Sequence, residues 1–447
     1  MASAKHTPNR SPRFWRGRIQ STVVPSVMSG IMLMLLILAN MCYLYGTTFR
    51  QETRVHALKV LLVDFDQGEL GTAVVRASQG LQSHHFPTVE LGSMSQYSDP
   101  TAIKQAVCKA EYWAALYVNK DASKTLASAV NGSSREYDPA SAVTYTYNQA
   151  RYPVIADSYI INGIVSVIAA SRATYYESSS ANATFSTLDT TDQDSVVAYL
   201  NPIGSSADLI QPTGQVSRVF HNTVNLVIPP LAQFFFLLAL NGIAMGSGFH
   251  AQARVRDVWL FRFCLSKIYT CLSGITMAGY IWAFKETWGV TGSDFAKSWM
   301  LFWFLMDTQY QVMESIVGSF LPIAFTPFFV FTWIITNVAS TVFPLEIMPG
   351  WYRVGYALPS HEAYSLMVQI WSGCADQTRV ALPVMFSWWI IGHVTAVFSV
   401  RKRCSDARSM AANADAASEM TVSNAVLDVD ISEDGEMTTQ SNSPPSK

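Results

Sequence analysis

Charged residues are scarce in this chain. Of its 447 residues, 14% are Asp, Glu, Lys or Arg, whereas 50% are hydrophobic. A soluble domain averages about 25% charged residues. The low charge and the mean hydropathy of +0.19 therefore argue against a wholly soluble protein and predict membrane-spanning helices.

The chain also lacks the motifs of several enzyme classes. The dipeptide Gly-Lys does not occur, so there is no phosphate-binding loop, and an ATP-driven role requires a separate ATPase partner. His-x-x-Glu-His and paired-cysteine motifs are also absent. We expect no cofactor, no metal site, no nucleic-acid partner and no enzymatic activity.

Six stretches are long and apolar enough to cross about 30 Å of hydrocarbon as helices. They are residues 23–46, 223–246, 262–284, 298–318, 321–343 and 382–400. Pro229-Pro230 should kink the second stretch, and acidic residues interrupt the fourth. The first stretch ends in CYLYGTTF rather than in small residues, which favours an uncleaved anchor over a cleaved signal peptide.

Basic residues give these spans an orientation. A basic arm without acidic residues, 1–22, precedes the first span, a basic loop precedes the third, and a basic triplet follows the sixth. These residues are Lys5, Arg10, Arg13, Arg16 and Arg18, then Arg254, Arg256 and Arg262, then Arg401, Lys402 and Arg403. The positive-inside rule places all three segments in the cytosol. Both termini are therefore predicted to be cytosolic, and residues 222–404 to form a five-span membrane domain.

Residues 47–221 lie between the first two spans and should form an external domain. Strand patterns alternate with helical patterns there, which predicts an α/β fold. Residues 153–176 are its longest predicted helix, and sequons at Asn131 and Asn182 fit a glycosylated external location. The predicted fold class is a membrane α-helical protein with six transmembrane helices and an external α/β domain inserted between spans 1 and 2.

The first predicted strand of this domain ends in an Asp-x-Asp pair, within KVLLVDFDQGELGTAVV. Asp64 and Asp66 at a strand end are typical of a phosphatase nucleophile or a metal-dependent sugar transferase. Asp66-Gln67-Gly68 is also an ordinary turn sequence. A phosphatase needs a further acidic pair on a strand end, and the chain offers none, so a structural role is favoured.

The fourth span has the strongest functional signal within the membrane. Asp307, Gln311 and Glu314 stand at i, i+4 and i+7 and share one helical face. Carboxylates at membrane depth usually mark an ion or substrate path. Alternatively, they lie near a helix end, or they pair with Lys267 or Lys285. His393 in the last span is a further candidate for the path, although a lone histidine is more often a packed, hydrogen-bonded residue.

Three other features complete the pattern. Of the six cysteines, only Cys108 and Cys374 are predicted to be external, where an oxidising environment would let them form a disulfide. Residues 344–381 form an amphipathic external excursion, expected at the outer leaflet because it is rich in aromatic residues. These are Trp351, Tyr352, Tyr356, Tyr364 and Trp371. Residues 405–447 are rich in Ser, Ala and acids and are predicted to be a disordered cytosolic tail.

The layout of spans and domain resembles that of the fungal nitrosoguanidine-resistance membrane proteins. The segments LLVDFDQGELG, SWMLFWFLM and FPLEIMPGWYRVGYALPSHEAY carry the resemblance, which covers about residues 20–400. That family is similar to the membrane domains of type-2 ABC exporters and to the bacterial phage-infection-protein family. The resemblance implies drug resistance or export across the plasma membrane and supplies no defined catalytic residues.

Three hypotheses follow from the sequence. The first is a transporter-like membrane protein of the plasma membrane that exports a small molecule or drug, or rearranges membrane lipid. It would act as a homodimer or with a separate ATPase partner. The second is a non-transporting accessory or receptor protein whose glycosylated external domain binds a ligand or partner. The third is an external enzyme that uses Asp64 and Asp66.

Overall fold

The computed structural model describes residues 19–134, 137–317 and 319–437. Its strands are β1 (Lys59–Asp64), β2 (Thr88–Gly92), β3 (Ala114–Val118), β4 (Val143–Tyr147) and β5 (Ser205–Ala207). Its first seven helices are α1 (Val24–Gly46), α2 (Glu69–Gly80), α3 (Pro100–Cys108), α4 (Ala122–Val130), α5 (Asn162–Tyr176), α6 (Ser179–Ser186) and α7 (Gln193–Leu200). Then follow α8 (Val224–Gly246), α9 (Phe249–Gln252), α10 (Val255–Ala283), α11 (Gly292–Ile316), α12 (Thr326–Ala339), α13 (Pro359–Ser372) and α14 (Thr378–Met437).

Within the described residues, five helical segments are long and apolar enough to cross a membrane. They are Gln20–Gly46, Pro153–Tyr176, Val224–Gly246, Val255–Ala283 and Thr378–Met420. Helices of this length and composition are those of a multi-pass helical membrane protein. Two more helices occupy predicted spans: α11, whose charged residues lower its hydropathy, and α12, which has 14 residues.

Residues 59–207 form a five-stranded sheet in the order β2-β1-β3-β4-β5. β1 pairs in parallel with β2 and β3, whereas β3 and β4 are antiparallel. β1 and β3 are buried almost throughout, because α2 and α5 lie on the side of Val60 and Leu62, whereas α3 lies on the side of Leu61 and Val63. Helices on both faces explain why these strands are continuous apolar runs.

The segment Pro153–Tyr176 is apolar enough to cross a membrane, yet it belongs to this sheet-containing part. Ile160, Ile164 and Val167 are buried in the same core as Val60 and Leu116 of the central strands. The C-terminal part of the segment, α5, also packs along α2. One face of the segment is therefore buried in the sheet-containing part, whereas Val154 and Val165 on its outer side are exposed.

The remaining helices form a bundle around α11. This helix contacts α8, α10, α13 and α14, so it is surrounded by protein along much of its length. It begins with a capping box in which Thr291 and Asp294 satisfy each other's backbone N–H groups, which fixes where the helix starts. Each of the six segments that the sequence predicted as spans therefore contains a helix in the structure, namely α1, α8, α10, α11, α12 and α14.

The external excursion differs from its predicted position at the lipid interface. α13 packs against α11 and α14, and Tyr364 and Trp371 are buried, with 1% and 3% of their surfaces exposed. Trp371 donates a 2.9 Å hydrogen bond from Nε1 to Ser298 Oγ in α11. Trp351, 63% exposed, is one of the predicted interfacial aromatics that does face outward. Tyr356 is also exposed, at 46%, whereas Tyr352, Tyr364 and Trp371 are buried. The prediction was wrong for these three because indole and phenol groups satisfy partners within protein equally well.

α13 also joins the sheet-containing part to the bundle. A disulfide links Cys108, at the end of α3, to Cys374, just after α13. Next to it, the Ala375 backbone N–H donates to the Cys108 carbonyl oxygen over 2.6 Å. The Tyr364 hydroxyl accepts a 2.7 Å hydrogen bond from the Tyr152 backbone N–H. These contacts give the two parts a shared hydrophobic core.

The segment after the last predicted span is helical where the sequence predicted disorder. α14 continues to Met437, so the prediction was wrong for residues 405–437; residues 438–447 lie outside the described ones. The segment from 405 to 434 contains no Gly or Pro. A helix that already exists extends at low cost, since its nucleus is formed by the preceding span. Residues 1–18 of the basic arm are also outside the described residues.

Candidate functional site

The polar face of α11 points into the bundle. Asp307, Gln311 and Glu314 are 3%, 3% and 2% exposed, so none of them faces lipid. Asp307 lies in the middle of α11 and Glu314 lies in its last turn. Burial of both acids requires partners from neighbouring helices, because an isolated buried carboxylate costs several kcal/mol.

Asp307 is the centre of the first ion cluster, with Lys267 from α10 and Trp389 and His393 from α14. Lys267 Nζ pairs with Asp307 Oδ2, and Trp389 Nε1 donates to the same oxygen over 2.6 Å. Gln311 Nε2 lies 3.5 Å from Asp307 Oδ1. The lysine and the carboxylate cancel in charge, so the Asp307 cluster is neutral overall when His393 is neutral.

The contacts of His393 define its tautomer. Its Nε2 lies 2.6 Å from Lys267 Nζ, and its Nδ1 lies 2.7 Å from the Trp389 carbonyl oxygen. An ammonium group can only donate, so Nε2 accepts and Nδ1–H donates to the carbonyl. His393 is therefore a neutral, oriented member of the Asp307 cluster.

Glu314 is the centre of a second ion cluster, with Arg262 from α10 and Arg403 from α14. Arg262 makes a bidentate pair, with Nε to Oε1 at 2.7 Å and Nη2 to Oε2 at 2.6 Å. Arg403 Nη2 lies 2.9 Å from Oε1. Asn241 Oδ1 in α8 accepts a 2.9 Å hydrogen bond from each arginine. The Glu314 cluster thus ties four helices together.

The sequence reasoning did not predict that both arginines are buried. Arg262 was assigned to a cytosolic loop and Arg403 to a cytosolic stop signal, but they are 3% and 6% exposed. Their pairing with Glu314 crosses 52 and 89 residues of chain, which spacing along one helix does not reveal. Lys285, a proposed partner for the acids, instead lies over the Trp282 ring at 4.0 Å. Lys267, the other proposed partner, does pair with Asp307.

An apolar groove of about 480 Å³ lies beside the Asp307 cluster. α10, α11, α13 and α14 contribute to its lining. Of the described residues that line it, two are charged, Lys267 and Asp307, and Trp389 adds an indole N–H. The apolar wall consists of Met300, Leu301, Trp303, Phe304, Leu366, Ile370, Leu382 and Phe386. A groove of this size and lining suits a mainly apolar molecule that carries a polar group.

Two smaller cavities lie near the groove and the ion clusters. A cavity of about 20 Å³ lies between the two clusters, lined by Arg262, Glu314, Gln311 and His393 among others. A cavity of about 270 Å³ lies between the sheet-containing part and α13, where Arg151 and Glu362 contribute to a polar lining. α13 therefore lines both the groove and the cavity at the junction of the two parts.

The Asp-x-Asp pair has structural partners. Asp64 Oδ1 accepts the backbone N–H groups of Asp66 and Gln67, each at 3.0 Å. Asp66 accepts from the Ser123 backbone N–H at 2.9 Å and from its hydroxyl. Burial raises the pKa of Asp64, and the two backbone hydrogen bonds partly offset this rise. These contacts join the β1–α2 turn to the start of α4, as a structural role requires.

Other predicted sites are spread across the molecule. Asn131 and Asn182 are exposed on the sheet-containing part, so both sequons are sterically accessible. Within the described chain, no group of three or more His, Cys, Asp or Glu residues is arranged to hold a metal ion. Of the predicted site residues, Asp307, Gln311 and His393 lie in one cluster, Glu314 lies in the next, and Cys108 is bonded to Cys374.

Comparison with known families gives one match. Residues 29–394 match a family model described as a protein of unknown function, DUF3533. The chain belongs to the DUF3533 family. The match begins within α1 and ends one residue after His393, so it includes the Asp307 cluster and the groove. No solved structure matches the chain, and the description of the DUF3533 family assigns no activity.

The Glu314 cluster yields a stability prediction for this DUF3533 protein. Glu314→Gln leaves two buried arginines without their counter-ion, so we expect the free energy of unfolding to fall by about 3–5 kcal/mol. Denaturant titration of the detergent-purified protein measures this change. The matched control is Glu111→Gln, which alters an exposed side chain and should leave stability unchanged. Equal unfolding curves for the two variants would contradict the structural role of the cluster.

Proposed function

We propose that this protein is a transporter-like protein that binds an amphiphilic small molecule or a membrane lipid in the groove and exports it across the plasma membrane. The observation that carries the proposal is the groove itself. Its volume of about 480 Å³ is that of a site for a drug-sized molecule, and its apolar wall lies next to a neutral ion pair and an indole donor.

The chemistry of the groove limits the substrate class. Lys267 and Asp307 neutralise each other, so the groove does not select a strongly charged molecule by net charge. A neutral or zwitterionic polar group can exchange hydrogen bonds with Asp307, Lys267 and Trp389, while the apolar remainder lies against the aromatic and aliphatic wall. This profile covers lipophilic drugs and zwitterionic lipids and excludes free inorganic ions and sugars.

The proposed topology has six spans, formed by α1, α8, α10, α11, α12 and α14. The sheet-containing part is then external and both termini are cytosolic. The basic residues support this orientation. Arg254 and the segment after Arg401 lie at one end of α10, where Arg408 donates to the carbonyl oxygens of Ala251 and Ala253. Gln215, which follows the sheet, instead donates to the Phe284 carbonyl oxygen at the other end of α10. The Cys108–Cys374 disulfide supports an oxidising compartment for the sheet-containing part.

A second candidate function is that of a receptor or accessory protein. The cavity of about 270 Å³ at the junction supports it, since a ligand there would contact both the external part and α13. Purified protein in liposomes separates the two candidates. Substrate flux, tested with and without ATP or a proton gradient, supports the transporter; binding without flux under every condition supports the receptor.

Filling the groove should block transport. Ile370→Trp places an indole in the wall, so we expect flux to fall about tenfold, equivalent to about 1.4 kcal/mol of lost binding. The probes are a short-chain fluorescent phospholipid and a neutral lipophilic dye, measured in liposomes. Leu272→Trp, on the exposed side of α10, is the matched control and should transport normally. Equal flux in the two variants would remove the groove from the path.

The topology predicts glycosylation of the external part. In a eukaryotic host, glycosidase treatment should increase the gel mobility of the wild-type protein, because Asn131 and Asn182 are exposed acceptors. Asn131→Gln and Asn182→Gln together should abolish the change, whereas the single variants should each retain part of it. A wild-type protein that is unaffected by the glycosidase would argue against an external location.

A further inference from the structure

The Glu314 cluster carries an excess positive charge. Arg262 and Arg403 contribute two positive charges, and Glu314 contributes one negative charge. Burial lowers the pKa of the neighbouring His250 to about 4, and the charges of both arginines add to this effect. His250 is therefore neutral at physiological pH. The cluster has a net charge of +1.

The other partners of the two arginines do not neutralise this charge. Asn241 accepts hydrogen bonds from both of them, and Arg403 also donates to Ser399 and to the Glu314 carbonyl oxygen. These acceptors are polar but uncharged. The nearby Asp307 is already paired with Lys267. An uncompensated charge buried in protein costs several kcal/mol, so a further negative partner is expected.

Unused hydrogen-bond donors are present at the same place. Arg262 Nη1 and Arg403 Nε are buried and have no hydrogen-bond acceptor among the described residues. Buried donors are rarely left without a partner in native proteins. Both side chains are more than nine-tenths buried, so bulk solvent does not reach these atoms in this conformation.

The space next to Arg262 and Glu314 has a volume of about 20 Å³. That volume holds one water-sized species and is too small for a phosphate or a carboxylic acid molecule. We infer that the Glu314 cluster binds one monovalent anion of chloride size in this space, where Arg262 holds it; Arg403 does not line the space and contributes its positive charge from the other side of Glu314. The anion would neutralise the cluster and accept a hydrogen bond from Arg262 Nη1.

Chloride should therefore stabilise the protein through a saturable site. We expect the melting temperature of the purified full-length protein to rise as chloride replaces gluconate at constant ionic strength, and then to level off. Equilibrium binding of radiolabelled chloride should saturate at one ion per chain. A melting temperature that is independent of chloride, with no saturable binding, would overturn the inference.

Asn241→Asp is the most informative variant. The new carboxylate is nearly isosteric with the amide, and its Oδ1 position already accepts from both arginines at 2.9 Å. It supplies the missing negative charge, so we expect a higher melting temperature in gluconate than the wild type has, and loss of the chloride shift. An Asn241→Asp protein that retains the full chloride shift would contradict the inference.

Two basic residues next to each other in the chain provide the matched comparison. Arg403→Gln removes the excess charge and should abolish radiolabelled chloride binding. Lys402→Gln removes an exposed charge that is paired with Asp406 at 2.7 Å, and binding should persist. Loss of binding in both variants would indicate a diffuse effect of surface charge and would also overturn the site. Binding to the wild-type protein decides the question even if Arg403→Gln fails to fold.

Discussion

The bundle is organised by the cost of burying charge. α11 places two carboxylates inside the bundle. A buried carboxylate without a cationic partner would destabilise the fold by several kcal/mol. On α10, Arg262 and Lys267 are five residues apart, and on α11 their partners Glu314 and Asp307 are seven residues apart. The two ion pairs therefore hold α10 and α11 together along their lengths. Arg403 and the Trp389–His393 pair then fix α14 against both. The contacts among α10, α11 and α14 follow from these pairings.

The same ion pairs also determine the character of the groove. Since Asp307 and Lys267 are paired with each other, they leave beside them a space whose wall is otherwise apolar. α13 forms part of that wall through Leu366 and Ile370, and it also contacts the sheet-containing part through Tyr364 and the Cys374 disulfide. α13 therefore connects the sheet-containing part to the wall of the groove through a disulfide and a hydrogen bond.

Much of the architecture was predictable from local sequence, and the site only in part. Long apolar stretches and strand–helix alternation depend on neighbouring residues, so the six helical segments and the strands β1, β3 and β4 were anticipated, whereas the short strands β2 and β5 were not. The shared face of Asp307, Gln311 and Glu314 follows from helical geometry. The roles of Arg262 and Arg403 could not be predicted. An arginine near the end of a span has the same sequence position whether its side chain reaches the cytosol or turns into the bundle. Burial of α13 likewise depends on α11 and α14, which are distant in the chain.

The central claim is that Asp307 and Lys267 are a neutral structural pair rather than two independently charged path residues. A double-mutant cycle on the free energy of unfolding tests it most directly, with Asp307→Asn, Lys267→Met and both together. The account predicts that each single variant is strongly destabilised, because one charge stays buried alone, and that the double variant recovers most of the loss. A double variant destabilised by the sum of the two single losses would contradict the account.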